Sequence, residues 1–167
     1  MSDTTLATRF ELRKATEPAH FERFKELLQD YAGHDLADPQ HSSIWRDMAQ
    51  LPGRYAPPQG QVLLAYRDGE LAGCGAFVTS LEPSLAEIKR VYVRPAFRRQ
   101  GLARVLTLAL AEQAGQKAFQ TAGICTWPDN SAALALYQQL GFVPISSFRE
   151  ADKSHLVFLG LPLRQPN

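Results

Sequence analysis

The chain opens on an alternation. Residues 8–14 read Thr-Arg-Phe-Glu-Leu-Arg-Lys, the two-residue period of a half-buried strand. The period then lengthens. Thr16 is placed to cap a helix with Pro18 in its first turn, and Phe21, Phe24, Leu27, Leu28 and Tyr31 recur at 3.6-residue spacing until Gly33. Asp38-Pro39 predicts a second helix running to about Gln50, with Ile44, Trp45 and Met48 inward. Residues 51–60 (Leu-Pro-Gly-Arg-Tyr-Ala-Pro-Pro-Gln-Gly) are loop by composition. A strand at 62–67, the turn Asp68-Gly69 and a return strand at 70–80 predict a hairpin, and Gly73 and Gly75 predict a bulge or a close backbone approach. Glu82-Pro83-Ser84 turns the chain into a strand at 85–93. A helix at 102–113 follows, apolar on enough sides to be largely buried, with Gly115 just past its end. A strand at 122–127 leads to a helix capped at Asp129-Asn130-Ser131, with Ala133, Leu136, Tyr137 and Leu140 on one face and Gly141 as its C-cap. Strands at 142–148 and 155–161 close the chain.

The order β-α-α-β-β-β-α-β-α-β-β joins an antiparallel run to a strand–helix–strand crossover, which is parallel. It predicts an α/β fold with a mixed, mostly antiparallel central sheet and helices on both faces. A length of 167 residues suits one domain, with its core at about 8–161. Apolar residues at 45% and charged residues at 21% are ordinary for a globular protein, and a net charge of +1 supplies no basic field for nucleic acid. No apolar run approaches the ~20 residues of a membrane span. The N-terminus has neither a basic nor an apolar leader region, so the expected location is cytoplasmic and the expected state of Cys74 and Cys125 is two reduced thiols in the core. The four histidines are scattered, which predicts no metal site.

Chemistry concentrates in residues 91–104. A β-branched strand runs through Pro95 into a basic turn, and an apolar helix starts abruptly after Gly101. Such a helix N-terminus leaves N–H groups unpaired and favours anions. Gly101 permits close backbone approach, Ala103 keeps the first helical turn small, and Arg98, Arg99 and Arg104 supply cations suited to phosphate oxygens. The physical reading is a pyrophosphate cradle, against the plainer one of a solvated basic face. One Gly in the turn does not make a dinucleotide-binding fingerprint, and no Gly-Lys-Ser/Thr is present for a P-loop.

Arg98-x-x-Gly101-x-Ala103 resembles the acyl-CoA signature of the GNAT acetyltransferase superfamily. The strand Val91-Tyr92-Val93-Arg94-Pro95 resembles the one preceding that signature, and Asn130-x-x-Ala133-x-x-x-Tyr137-x-x-x-Gly141-Phe142 resembles the second half of the site. Position 99, often Gly in the family, is Arg here. The resemblance covers about residues 8–161 and implies the GNAT fold. It also implies an N-acetyltransferase that moves an acetyl group from acetyl-CoA to a primary amine by direct attack in a ternary complex. The implied cofactor-binding set is Val91, Tyr92, Val93, Arg98, Arg99, Gln100, Gly101, Leu102, Ala103, Arg104, Asn130 and Tyr137. In the family the strand matching 91–93 splays from its neighbour and bonds the pantetheine amides through its backbone, as an added strand would.

By spacing alone Tyr137 reads as a core aromatic; the resemblance implies instead the family's tyrosine that protonates the departing CoA thiolate. Asn130 reads as a helix cap, a cofactor ligand, or both. Glu87 is the candidate base, because strict alternation would place 87, 89, 91 and 93 on one side of the strand; pairing with Lys89 or Arg90 is the alternative, and Asp129 and Glu82 are weaker candidates. The acceptor pocket is expected from variable segments carrying Tyr31, Trp45, Arg54, Tyr55, Phe148 and Arg149. The 51–60 loop resembles one found in many uncharacterised bacterial members. No cysteine lies on the motif, so no acyl-enzyme step is expected. The expected partners are acetyl-CoA and a small amine-bearing acceptor, with a homodimer permitted and no nucleic acid, membrane or metal. Two rival readings are an acyltransferase using a hydroxyl acceptor or another acyl chain, and a non-catalytic acyl-CoA-binding or regulatory module.

Overall fold

A computed structural model describes residues 9–34, 36, 40, 42–149 and 155–166. Seven strands form one sheet: β1 (Glu11–Lys14), β2 (Gly60–Arg67), β3 (Glu70–Thr79), β4 (Leu85–Val93), β5 (Thr121–Thr126), β6 (Val143–Pro144) and β7 (Val157–Pro162). Their spatial order is β1-β2-β3-β4-β5-β7-β6, and every pair is antiparallel except β4 with β5. Four α-helices are described: α1 (Pro18–His34), α2 (Ile44–Ala49), α3 (Leu102–Gln116) and α4 (Ser131–Gln139). The element order is the one the sequence predicts.

The sheet separates two cores. On one face α3 lays Leu102, Leu106 and Leu110, each 2% exposed or less, against Leu63, Phe77, Ile88 and Ile124, while Leu134 and Tyr137 of α4 and Leu140 at its C-cap pack at its margin. On the other face Phe24, Leu27 and Leu28 of α1 and Ile44 and Met48 of α2 cover Val62, Leu64, Cys74 and Tyr92. Each fully buried Leu or Phe contributes about 1.5–3 kcal/mol by leaving water, so both helical layers are held by their apolar faces. Gly73 and Gly75 admit close neighbours: a Cβ on Gly73 would lie 2.5 Å from the Tyr92 carbonyl oxygen of β4 and 3.2 Å from the Leu102 side chain of α3, and one on Gly75 would lie 2.8 Å from Leu110 of α3.

Several boundaries differ from the sequence expectation. The predicted start of the second helix at Asp38-Pro39 lies outside the described residues. Trp45 is 49% exposed, because α2 turns Ile44, Asp47 and Met48 inward on one face. The expected 142–148 strand shrinks to two residues: Pro144 has no N–H to continue the ladder, and Ser147 forms a local turn in which its hydroxyl accepts from the Arg149 N–H at 3.2 Å. Gly115 lies inside α3, where the Arg164 carbonyl oxygen passes 2.6 Å from the position a Cβ would take. Cys74 and Cys125 are both free thiols. No described helix is long and apolar enough to cross a membrane.

Candidate active site

Two departures from regular pairing make the site, and both are in β4. The first is a bulge. Cys74 opposes Tyr92 while Ala76 opposes Lys89, so β4 carries one extra residue, and Arg90 takes it up at φ +61°. The extra residue reverses the alternation. Ala86, Ile88, Val91 and Val93 face the α3 core, and Tyr92 faces the α1 core. The expectation that 87, 89, 91 and 93 share one side is therefore corrected: Val91 and Val93 are on the side opposite Glu87 and Lys89. The second departure is a splay. β4 pairs with β5 only over 85–87, so from Ile88 onward its edge toward β5 has no strand partner.

The freed edge leads straight into the turn. Arg99 at φ +64° and Gly101 at φ +80° fold the backbone tightly before α3. The first intrahelical bond runs from the Val105 N–H to the Gly101 carbonyl at 3.0 Å, and Gly101 offers no side-chain cap. The N–H groups of Leu102, Ala103 and Arg104 therefore have no acceptor within the helix. A cleft of about 470 Å³ joins these features, lined by Val91, Tyr92, Val93, Arg98, Arg99, Gly101, Leu102, Ala103, Arg104 and Asn130 of the predicted cofactor set, together with Tyr31, Phe97 and Leu136.

The side chains of that set play unequal parts. Arg98 donates from Nε to the Val93 carbonyl at 2.9 Å and sits 5.8 Å from the Tyr92 ring centroid. Gln100 turns its side chain toward β2, where Arg67 donates to its Oε1. Leu102 is 2% exposed and belongs to the core. Asn130 caps α4, its Oδ1 accepting from the Ala133 N–H at 3.4 Å and its Nδ2 donating to Thr126 at 3.0 Å. Tyr31 stacks on Tyr92, with centroids 5.4 Å apart and planes at 4°.

Tyr137 packs its ring 5.8 Å from Phe142 and is near enough to Tyr31 and Cys125 to feel their charge. Burial, with smaller contributions from those two groups, pushes its pKa up to about 12, so it remains a protonated donor at any physiological pH. Glu87 is 5% exposed. Its partner is neither Lys89 nor Arg90 but Arg149, whose Nε donates to Oε2 at 3.1 Å and whose Nη2 donates to the same oxygen.

Tyr55 and Phe148, expected to wall an acceptor pocket, are core residues. Tyr55 is 2% exposed, meets Phe24 edge-on at 5.4 Å and donates its hydroxyl to Asp47. Phe148 is 6% exposed and stands edge-on to Phe158 at 5.1 Å. Their loops enclose large aromatics to anchor themselves on the sheet. Asp47 is the residue that sequence reasoning missed. It is 6% exposed and accepts from Arg90 Nη2 at 2.9 Å, while Arg90 also donates to Ser43 at 2.9 Å. Hydrogen bonds from Tyr55 and Arg90, with the charge of Lys89, outweigh burial and hold its carboxyl below the usual carboxylate range. The signal was a carboxylate on the apolar face that Ile44 and Met48 define.

The comparisons with known proteins agree with this geometry. The pattern described as the Acetyltransferase (GNAT) family matches residues 20–142. The chain belongs to that family, whose members are acyltransferases. It is 31% identical over 112 residues to the uncharacterized N-acetyltransferase YjgM of Escherichia coli, a match spanning 66% of this chain and 63% of that protein. It is 30% identical over 123 residues to the IAA acetyltransferase of Azospirillum brasilense, covering 74% and 76% of the two chains. The fold superposes on the PaiA N-acetyltransferase of Thermoplasma acidophilum, solved in complex with coenzyme A, with a TM-score of 0.71 at 18% identity, covering 92% and 98% of the two chains.

Proposed function

We propose that this chain transfers an acetyl group from acetyl-CoA to a primary amine of a small molecule or peptide, by direct attack within a ternary complex. The observation that carries the reading is the splay of β4 from β5 where it runs into the N-terminus of α3, whose first N–H groups have no acceptor within the helix. An extended amide-bearing arm fits the open strand edge, and a pyrophosphate fits the helix end.

The backbone of Val91 and the 98–104 turn hold the acyl donor. Acetyl-CoA supplies an activated thioester. Tyr137, from α4, donates a hydrogen bond to the departing sulfur. Its pKa of about 12 makes complete proton transfer to a thiolate of pKa ~8.5 uphill, so stabilisation of the developing charge is the larger part of its role. Glu87 receives the proton lost by the acceptor amine, directly or through water, while Arg149 fixes its carboxylate. Positioning two reactants in one cleft contributes much of the rate. Two free thiols in the chain support a cytoplasmic setting.

Isothermal titration tests the donor assignment. Saturable binding of acetyl-CoA and of CoA, with a rise in thermal midpoint, is the expected result. No saturation with either ligand sinks the reading.

A further inference from the structure

The proposed reaction leaves one buried cation without a task. Lys89 sits two residues from Glu87, on the face of β4 away from Val91 and Val93, and its side chain is 10% exposed. Its nearest carboxylate oxygen, Asp47 Oδ2, is 4.0 Å away and already accepts from Tyr55 and from Arg90 at 2.9 Å. Among the described residues the Lys89 ammonium makes no hydrogen bond. Desolvation is the main reason that its pKa falls to about 8.

Around this point the described buried and half-buried charges do not balance. Lys89, Arg90 and Arg149 stand against Asp47 and Glu87, three cations to two anions. An ammonium held out of water without a hydrogen bond is costly, and an anionic ligand beside it would offset that cost. The surplus lies where the two strands part: Glu87, opposite Gly123, is the last β4 residue paired with β5, and Lys89 follows it on the freed stretch.

We infer that the acceptor is an amine bearing a nearby carboxylate, an α-amino acid or a close analogue, with Glu87 facing its ammonium and Lys89, beside Arg149, its carboxylate. The assignment rests on the acetyl-transfer reading. An amphoteric ligand matches the site: a carboxylate and a cation stand two residues apart on one strand face, about 7 Å along the chain by strand rise. In the reaction the amine nitrogen forms a bond to the acetyl carbon as the carbon–sulfur bond breaks. One proton leaves the ammonium before attack, a second leaves the nitrogen as the amide forms, and the sulfur departs as CoA thiol after taking up a proton.

The test is CoA release measured with the twenty amino acids, each beside its methyl ester, using the parent protein and Lys89→Met. Acetyl-CoA titration and thermal unfolding confirm that the variant is folded. The expected result is at least one amino acid favoured over its ester by 10-fold or more in kcat/KM, with a ratio near one in Lys89→Met and a largely restored ratio in Lys89→Arg. Esters used as well as acids overturn the inference, as does a ratio that survives Lys89→Met. Turnover of simple amines or esters alone overturns it while leaving acetyl transfer standing. Turnover of no amine, with acetyl-CoA still bound, overturns both. If Lys89→Met does not fold, the acid-to-ester ratio of the parent decides.

Discussion

The two halves of the proposed site are built on different principles. The half proposed for the acyl donor is made of main chain: an edge of β4 with no strand partner from Ile88 onward, two residues at positive φ, and the N–H groups of a helix end. It occupies one continuous stretch, residues 91–104. The half proposed for the acceptor lies outside the lining of the 470 Å³ cleft and is made of side chains, Asp47, Glu87, Lys89, Arg90 and Arg149, brought together from α2, β4 and the loop after β6. Main-chain donors tolerate substitution because the fold supplies them. Side-chain donors set specificity and change with a single codon. The molecule thus pairs a generic half with an adjustable one.

Tyr137 stands at the seam and gives the largest predicted effect. Tyr137→Phe removes one hydroxyl and leaves the ring against Phe142 and the α3 core. Turnover should fall on the order of 10²-fold, about 2.7 kcal/mol, in the range of one hydrogen bond to a charged group. Affinity for acetyl-CoA should remain near that of the parent. With its pKa raised to about 12, the hydroxyl should contribute no limb to the pH–rate profile below pH ~10. An acyl donor with a more acidic leaving thiol should narrow the loss. Rapid-quench turnover of both proteins, with chemistry shown to limit the rate, checks this; equal rates return Tyr137 to the role of a core aromatic.

Gly101→Val should act on the generic half alone. Gly101 is at φ +80°, a region that a β-branched residue enters at a cost of about 1–3 kcal/mol. Acetyl-CoA affinity should fall about 10-fold or more by calorimetry, as the valine displaces the turn. The acid-to-ester preference of whatever acceptor activity remains should be unchanged. A folded variant with parental affinity would place the donor site elsewhere.

This division also explains what the sequence made legible. The strand–turn–helix proposed for the donor was readable because its determinants are contiguous: a Pro turn, a glycine and an apolar helix follow one another within 14 positions. Element order and the parallel β4–β5 crossover were readable for the same reason, each following from local periodicity. Strand faces were not. The bulge at Arg90 has no Gly of its own to announce it; the glycine that fits it, Gly75, is on the neighbouring strand. Alternation counted through the bulge therefore put Glu87 on the side of Val91. The acceptor half was illegible because its pairs are long-range. Nothing local links Arg149 to Glu87 or Asp47 to Arg90. Tyr55 and Phe148 were expected in the pocket wall because they come from variable segments, yet each is buried as an anchor.

Arg99 gives the smallest predicted effect and the cleanest separation of main chain from side chain. The residue sits at φ +64°, where a side chain costs about 1 kcal/mol relative to glycine, and it is exposed at the rim of the cleft. Arg99→Gly relieves that strain and also removes one cation. The unfolded chain gains freedom from glycine, which offsets part of the relief, so the net gain in stability should be no more than about 0.5 kcal/mol. If the anion is held by the N–H groups of the turn and of α3, acetyl-CoA affinity should change by less than about 3-fold at physiological salt, because one exposed charge contributes at most ~1 kcal/mol and is screened. The residual loss should disappear as salt is raised. Arg99→Ala keeps the side-chain Cβ and the strain while deleting the charge, so it isolates the electrostatic part. Parallel calorimetry of the two variants at low and high salt therefore reads the backbone and the guanidinium separately. A salt-independent loss of 10-fold or more in Arg99→Ala would move the anion site from the main chain to the arginine.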